Sequence, residues 1–213
     1  MENNLNALEN FIKSSGIRRT LSKHDTLFRL NKPINEMYFL ESGYLKITQE
    51  NENGEMVTLA MRTPGQICGL CELLAEQRFY TRYAFCLTNC VVYVLSAELF
   101  NEFLNKHPKV WQQLCKLMSQ RLIESQHYMY VLTRLTVPER LCWLLKKFAV
   151  EKGTTVTTSI PLTHEEMAHL IGCSRQKVTG FLNAWREEGL IHYERKRVEI
   201  LQPDKLFAVL DAI

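Results

Sequence analysis

Hydrophobic and polar positions follow two different rhythms along this chain. Up to about residue 106 they come in short alternating runs. Tyr38-Phe39-Leu40 and Tyr44-Leu45-Lys46-Ile47-Thr48 flank Glu41-Ser42-Gly43, and a polar turn from Gln49 to Gly54 leads into Met56-Val57-Thr58-Leu59-Ala60-Met61. Pro64-Gly65 closes that run. Strands punctuated in this way by turn residues predict an all-β sandwich or roll. Cys90-Val91-Val92-Tyr93-Val94-Leu95 is rich in β-branched and aromatic residues and predicts a further strand. Ser96 stands where it would cap a short helix reaching Phe103.

From Pro108 to about Val137 the rhythm lengthens. Trp111, Cys115, Met118, Leu122, Ser125, Met129, Leu132 and Thr136 fall at alternating spacings of four and three, a heptad-like seam. One long helix packed on its own domain would show this pattern, and so would a two-chain coiled coil. The run far exceeds the usual helix of about 11–12 residues. A small domain rarely covers such a seam, so the pattern favours a homodimer formed through residues 109–136. Beyond it, Thr136 and Glu139 have capping-box spacing with Pro138 in the first turn. Leu141, Leu144, Leu145 and Phe148 make the apolar face of the helix that follows. Gly153 is expected to end that helix, with a polar Thr-rich linker after it. Leu190 to Tyr193 and Arg197 to Leu201 read as two strands around Glu194-Arg195-Lys196.

The segment from Pro161 to Leu182 carries the most specific pattern. Thr163 and Glu166 form a second capping box, and Leu162 and Met167 are spaced for a hydrophobic staple. A short helix would bury Met167, Ala168, Leu170 and Ile171, and Gly172 permits the turn that ends it. Ser174 can cap a second helix whose buried face is Val178, Phe181, Leu182 and Trp185. Two short helices joined by a glycine turn are the pattern of a helix-turn-helix. A helical hairpin with a merely solvated face would look similar. Here a strand pair follows whose turn holds Arg195, Lys196 and Arg197, the basic wing that backbone anchoring needs. In such a DNA-binding unit the start of the second helix reaches base edges in the major groove. Ser174, Arg175, Gln176, Lys177 and Thr179, with Thr163, are therefore the expected contacts to double-stranded DNA, joined by Arg195 and Lys196. Arg175 suits guanine and Gln176 adenine, while Ser174 and Lys177 suit phosphates.

Charge alters this picture little in total and more in detail. The chain has 213 residues with a formal net charge of +3. Residues 107–137 hold 4 basic side chains against 1 acidic one, and the rest of the chain is nearly balanced. Any DNA surface must then be a focused patch and not a basic domain. No apolar run approaches the roughly 18 residues of a membrane span. The start, Met1-Glu2-Asn3-Asn4-Leu5, lacks the basic and apolar regions of a signal peptide. The chain thus reads as cytoplasmic, without a membrane partner. Its 7 cysteines point to free thiols, metal ligands or redox sensors before a disulfide framework. No nucleophile–base pair, metal-ligand signature or phosphate-cradling loop appears, so an enzyme is not expected.

Gly172-Cys173-Ser174-Arg175, together with the spacing of Gly43, Gly54, Gly65 and Gly69, resembles the cyclic-AMP receptor and fumarate–nitrate reduction (CRP/FNR) family of bacterial regulators. The resemblance covers nearly the whole chain. It implies an α+β protein: a double-stranded β-helix (a jelly-roll-like β-roll of cyclic-nucleotide-binding type) over 1–106, a long dimerisation helix over 107–137, and a C-terminal winged helix-turn-helix over 138–213. It also implies a homodimer on a roughly palindromic operator, allosteric control by a small-molecule effector in the β-roll, and contact with RNA polymerase if the chain is an activator. A hinge is expected near Thr136-Val137-Pro138. The family's common recognition helix has glutamate where Gln176 stands, which implies a half-site that differs at that base.

For the effector, the resemblance points to Gly69, Leu70, Glu72, Tyr80, Thr81, Arg82 and Ser125. Cyclic-nucleotide members hold the ribose with a glutamate and the cyclic phosphate with an arginine. Leu70 and Tyr80 stand at those two places, so cyclic AMP is not the expected ligand, although Arg78 and Arg82 lie close by in sequence. The iron–sulfur members' N-terminal cysteine cluster is absent, since no cysteine precedes Cys68. Cys68-Gly69-Leu70-Cys71 leaves a thiol or metal sensor open. Cysteine is among the most buried residue types and often acts as a small hydrophobe. Haem, with His24, His107 or His127 as conceivable ligands, or an organic effector, also remains open.

Overall fold

Leu8, Phe11 and Ile12 have helical spacing ahead of the first strand, and a helix is what they form. The structure, a computed structural model, describes residues 3–54, 56–152, 155–158, 162–194 and 197–210. Helix α1 (Asn3–Ser15) buries Leu8 and Ile12 completely, and Phe11 stacks on Phe103 with ring centroids 4.2 Å apart. The alternating pattern downstream had hidden this element. Contacts divide the chain into two compact units, Met1–Ile123 and Glu124–Ile213.

The first unit is built on two antiparallel sheets of four strands. One has the order β1 (Ile17–Leu21), β8 (Cys90–Ser96), β3 (Glu36–Ser42), β6 (Ile67–Cys68). The other has the order β2 (Thr26–Phe28), β7 (Tyr83–Cys86), β4 (Leu45–Glu50), β5 (Met56–Arg62). Successive side chains of a strand point to opposite faces, and β3 uses both. Tyr38 and Leu40 join Val92, Val94, Leu45 and Ile47 in one core. Met37 and Phe39 join a second core with Leu95, Leu8, Phe100 and Leu114. That is why Tyr38-Phe39-Leu40 is an unbroken apolar run. The jelly-roll-like expectation for this unit holds. Short helix α2 (Leu70–Leu74) follows β6. Helix α3 (Ala97–Lys106) starts where expected, with Ser96 Oγ accepting the Leu99 N–H at 3.3 Å, and runs past Phe103.

Helix α4 (Lys109–Arg134) is the long helix, and its own chain covers only part of it. Val110, Leu114 and Val131 are buried. On the expected seam, Trp111, Cys115, Leu122, Ser125, Met129 and Thr136 are exposed, and Met118 and Leu132 are half-buried. Residues up to Ile123 belong to the first unit and the rest to the second. In the second unit the Glu139 carboxylate accepts from the Thr136 backbone N–H at 2.6 Å and its hydroxyl at 2.7 Å, opening α5 (Val137–Lys147) as the capping box requires.

After α5 the structure corrects the expected linker. Ala149–Lys152 (β9) and Thr155–Thr158 (β10) are paired antiparallel strands, and β10 continues into a sheet with β12 (Arg197–Ile200) and β11 (Ile191–Glu194). Gly153 lies outside the described residues. Threonine is polar, which suggested a linker, but it is β-branched and suits a strand. Thr157 is buried in this sheet. The expected strand pair is β11–β12, and helices α6 (His164–Ile171), α7 (Arg175–Glu187) and α8 (Pro203–Phe207) complete the unit. No helix among the described residues is long and apolar enough to cross a membrane.

Candidate nucleic-acid interface and effector pocket

Local sequence chemistry fixes where α7 begins. The Glu166 carboxylate accepts from the Thr163 N–H at 2.7 Å and the Thr163 hydroxyl at 2.8 Å, and Thr163 Oγ1 accepts the Glu166 N–H at 3.1 Å. This reciprocal box starts α6, which buries Met167, Ala168, Leu170 and Ile171 as expected. Gly172 ends α6 in the left-handed region at φ 63°, a conformation a residue with a Cβ adopts at a cost. Ser174 Oγ then accepts the Lys177 N–H at 3.4 Å and starts α7. Val178 and Leu182 turn inward, and Ser174, Arg175, Gln176 and Lys177 are all exposed on the first turn.

Several contacts anchor this pair of helices. Arg140 Nη1 donates to the Ile171 carbonyl at 2.8 Å, and the Tyr128 hydroxyl donates to the Leu170 carbonyl. Those carbonyls are the orphan acceptors of the last turn of α6. Thr163 and Thr179 use their hydroxyls inside the protein. Thr179 Oγ1 donates to the Arg175 carbonyl at 3.0 Å, which leaves it an acceptor toward His164 Nδ1 at 2.8 Å. The His164 ring thus pairs with this hydroxyl through Nδ1. Its Nε2 is buried with no hydrogen-bond partner among the described residues, and the ring lies 4.8 Å from that of Tyr193. Sequence reasoning missed His164, whose role depends on residues 15 and 29 positions away in the chain. Arg195 and Lys196 lie outside the described residues. Arg197, beside them, is exposed at the start of β12.

Burial, and then the charge of Arg175, push His164 below its usual 6.5. Its charged form is thus disfavoured in the folded chain, and the unfolded chain binds the proton first as pH falls. Stability is then unaffected above the unfolded value and declines as pH drops toward the folded one. His164→Phe, which cannot take up a proton, is expected to flatten that acid-side decline. Urea unfolding midpoints of both proteins across about pH 5 to 8 measure it. Parallel pH profiles would show that His164 does not contribute.

The first unit contains a small pocket of about 30 Å³, part of it open to solvent. Of the residues expected at the effector, Gly69, Glu72 and Arg82 line it, with Cys68 and Cys71 beside them. Leu70, Tyr80, Thr81 and Ser125 do not. Leu70 turns into the core that holds Met37, Phe39 and Phe100. Tyr80 is fully buried, stacks on Phe28 at 4.1 Å, and donates its hydroxyl to the Glu36 carbonyl at 2.9 Å. Thr81 is exposed, and Ser125 is exposed on α4. A Cβ on Gly69 would lie 2.8 Å from the Tyr80 hydroxyl, so that hydroxyl can approach only because residue 69 has no side chain. The lining also includes Arg62, Arg121 and the apolar walls Phe28, Ile47 and Ile67. No local motif marked Arg62 or Arg121, because they reach the pocket from β5 and α4.

The cysteines are divided. Burial pushes the Cys68 thiol up to about 11, which keeps it protonated. Cys71 is exposed, with its sulfur 3.7 Å from Met118 Sδ and 3.8 Å from Arg121 Nη1. Among the described residues no group of three or more His, Cys, Asp or Glu side chains converges on one point. Of the histidines considered for haem, His127 accepts a hydrogen bond from Trp143 Nε1 at 3.2 Å and His107 packs on Phe103 with centroids 4.4 Å apart.

Residues 18–107 match the model of the cyclic nucleotide-binding domain, and residues 139–209 match the Crp-like helix-turn-helix domain. The global nitrogen regulator of Synechococcus elongatus is 26% identical over 185 residues, covering 84% of this chain and 82% of that one. The transcriptional activator protein FnrA of Stutzerimonas stutzeri is 24% identical over 209 residues, covering 96% and 84%. Among solved structures, FixK2 of Bradyrhizobium japonicum superposes with a TM-score of 0.80 at 15% identity, covering 91% of this chain and 96% of that one.

Proposed function

The chain belongs to the CRP/FNR family of transcription regulators, and from that premise we propose that two copies bind a roughly palindromic operator under the control of an effector other than cyclic AMP. The observation that carries this reading is the first turn of α7. Arg175, Gln176 and Lys177 are exposed together on a helix whose start is fixed by the Ser174 cap. In this reading Arg175 takes guanine acceptors, Gln176 takes adenine, and Ser174 and Lys177 take phosphates. Arg195 and Lys196, which fall between β11 and β12 in the sequence, and Arg197 at the start of β12 anchor the neighbouring backbone. Two copies meet along the exposed seam of α4 and set the two recognition helices about one helical turn apart. If operator placement makes the chain an activator, RNA polymerase is the further partner.

The effector enters the pocket of the first unit. Cyclic AMP is disfavoured because Tyr80, buried and fixed on Phe28, stands where the phosphate-binding arginine would be. Thiol or metal sensing through Cys68 and Cys71 has less support, since burial holds Cys68 as the unreactive thiol.

Duplex binding measured against salt tests the DNA reading. About eight phosphate contacts per dimer, from Lys177 and the wing, predict a fall of about 10³–10⁵-fold between about 50 and 200 mM salt. Affinity that hardly changes with salt would refute it.

A further inference from the structure

Three elements of the second unit meet at one side chain. His164 is the first residue of α6, directly after the Thr163 cap. Its Nδ1 lies 2.8 Å from Thr179 Oγ1 on α7, and its ring lies 4.8 Å from that of Tyr193 on β11, tilted by 43°. Thr179 Oγ1 in turn donates to the Arg175 carbonyl at 3.0 Å. Residues four apart share one face of a helix, so Thr179 stands one turn behind Arg175 on α7. A threonine hydroxyl bonded to the carbonyl four residues back is common in helices and by itself only bends them slightly. The second partner is what differs here, because it comes from another helix, 15 positions away in the chain. The His164 Nε2 is buried and among the described residues has no hydrogen-bond partner. A phenylalanine would fill the same space against Tyr193 without leaving a buried nitrogen unpaired, an arrangement that costs stability. What the imidazole adds over such a ring is the contact with Thr179.

We infer that His164 is a positioning residue for DNA recognition: without touching a base, it fixes the first turn of α7 against the start of α6 through Thr179, so that Arg175 and Gln176 meet base edges in one register. This deepens the regulator reading and rests on it. Thr179 moves from the DNA contacts expected of it to an internal strut, since its hydroxyl has partners on both sides within the protein. A hydrogen bond is directional in a way that ring packing is not. It therefore resists the small rotations of α7 that contact with Tyr193 alone would allow. Paired hydrogen bonds from arginine or glutamine to a base edge depend on that geometry. The side chain that sets base choice is then partly one that lies behind the reading face.

The test is a double-mutant cycle on the full chain, read as the ratio of its affinities for an operator selected from random DNA and for a scrambled duplex. Loss of folded protein lowers both affinities alike and leaves the ratio unchanged, so the ratio reports positioning. His164→Phe and Thr179→Val are each expected to lower it by about threefold to tenfold, the net worth of one hydrogen bond. The double variant is expected to be no worse than either single one, because the two side chains act as one link. His164→Asn, whose amide reaches the place of Nδ1, is expected to stay closer to the parent than His164→Phe. If His164→Phe fails to fold, His164→Leu takes its place in the cycle. An unchanged ratio in His164→Phe, or a loss in His164→Asn as large as or larger than in His164→Phe, would make His164 a packing residue for Tyr193 and overturn the inference. Losses that add in the double variant would overturn it too, and would return Thr179 to direct contact with a base. A parent chain that binds the two duplexes alike would instead overturn the regulator reading beneath it.

Discussion

Leu122→Glu combined with Met129→Glu is expected to turn the protein into a monomer and to lower its affinity for a full operator by about 10²–10⁴-fold. The two positions lie seven residues apart on the same stripe of α4, and each is 60% exposed in the single chain. Nothing in the protomer needs them to be apolar, so the substitutions leave its core intact. In a paired seam they would bury four carboxylates against one another, which the desolvation of charge forbids. The loss of affinity then comes from bivalency alone. Each recognition helix keeps its contacts, but the second half-site is no longer reached at the high effective concentration that tethering provides. Sedimentation measures the mass, and fluorescence anisotropy with full and half operators measures the affinity. A variant that stays dimeric, or a monomer that binds the full site as tightly as the parent, would remove the seam from the mechanism.

Arg175→Ala has the second largest expected effect: a loss of about 1–3 kcal/mol on the specific site, with relaxed choice at one base position. Arg175 is exposed and is the first residue of α7. Its backbone carbonyl already accepts from Thr179, so removing the side chain leaves the helix start in place. The loss should appear only on the cognate sequence. Competition between cognate and scrambled duplexes distinguishes this from a general charge effect, which would weaken both alike. Equal weakening on the two duplexes would make Arg175 a phosphate contact and move base recognition to Gln176.

Much of the fold was legible because its signals are local. The Thr163–Glu166 and Thr136–Glu139 boxes, the glycine turn at Gly172 and the Ser174 cap lie within a few residues of one another, and each appears where the spacing placed it. The exposed seam of α4 was legible for the same reason, since a period is a local property. The strands at Ala149–Lys152 and Thr155–Thr158 were not, because their character comes from pairing with β12 about forty residues on. The pocket was half legible. Gly69, Glu72 and Arg82 could be found by resemblance, while Arg62 and Arg121 come from distant elements and carry no motif. Tyr80 marks the clearest limit. The resemblance set it where an arginine would stand, and only the structure shows its ring buried and stacked on Phe28.

The hydrogen bond from Tyr128 to the Leu170 carbonyl has a practical meaning for anyone dividing this chain. Residues from Glu124 onward share their contacts with the DNA-binding unit. Trp143 holds His127, Tyr128 closes an open carbonyl at the end of α6, and Val131 is buried. Rotation about Thr136, where the resemblance implies a hinge, would have to break these links. The second unit therefore keeps the last turns of the long helix as its own roof. A fragment begun at Pro138 would lose that roof, and one begun ahead of Glu124 would keep it.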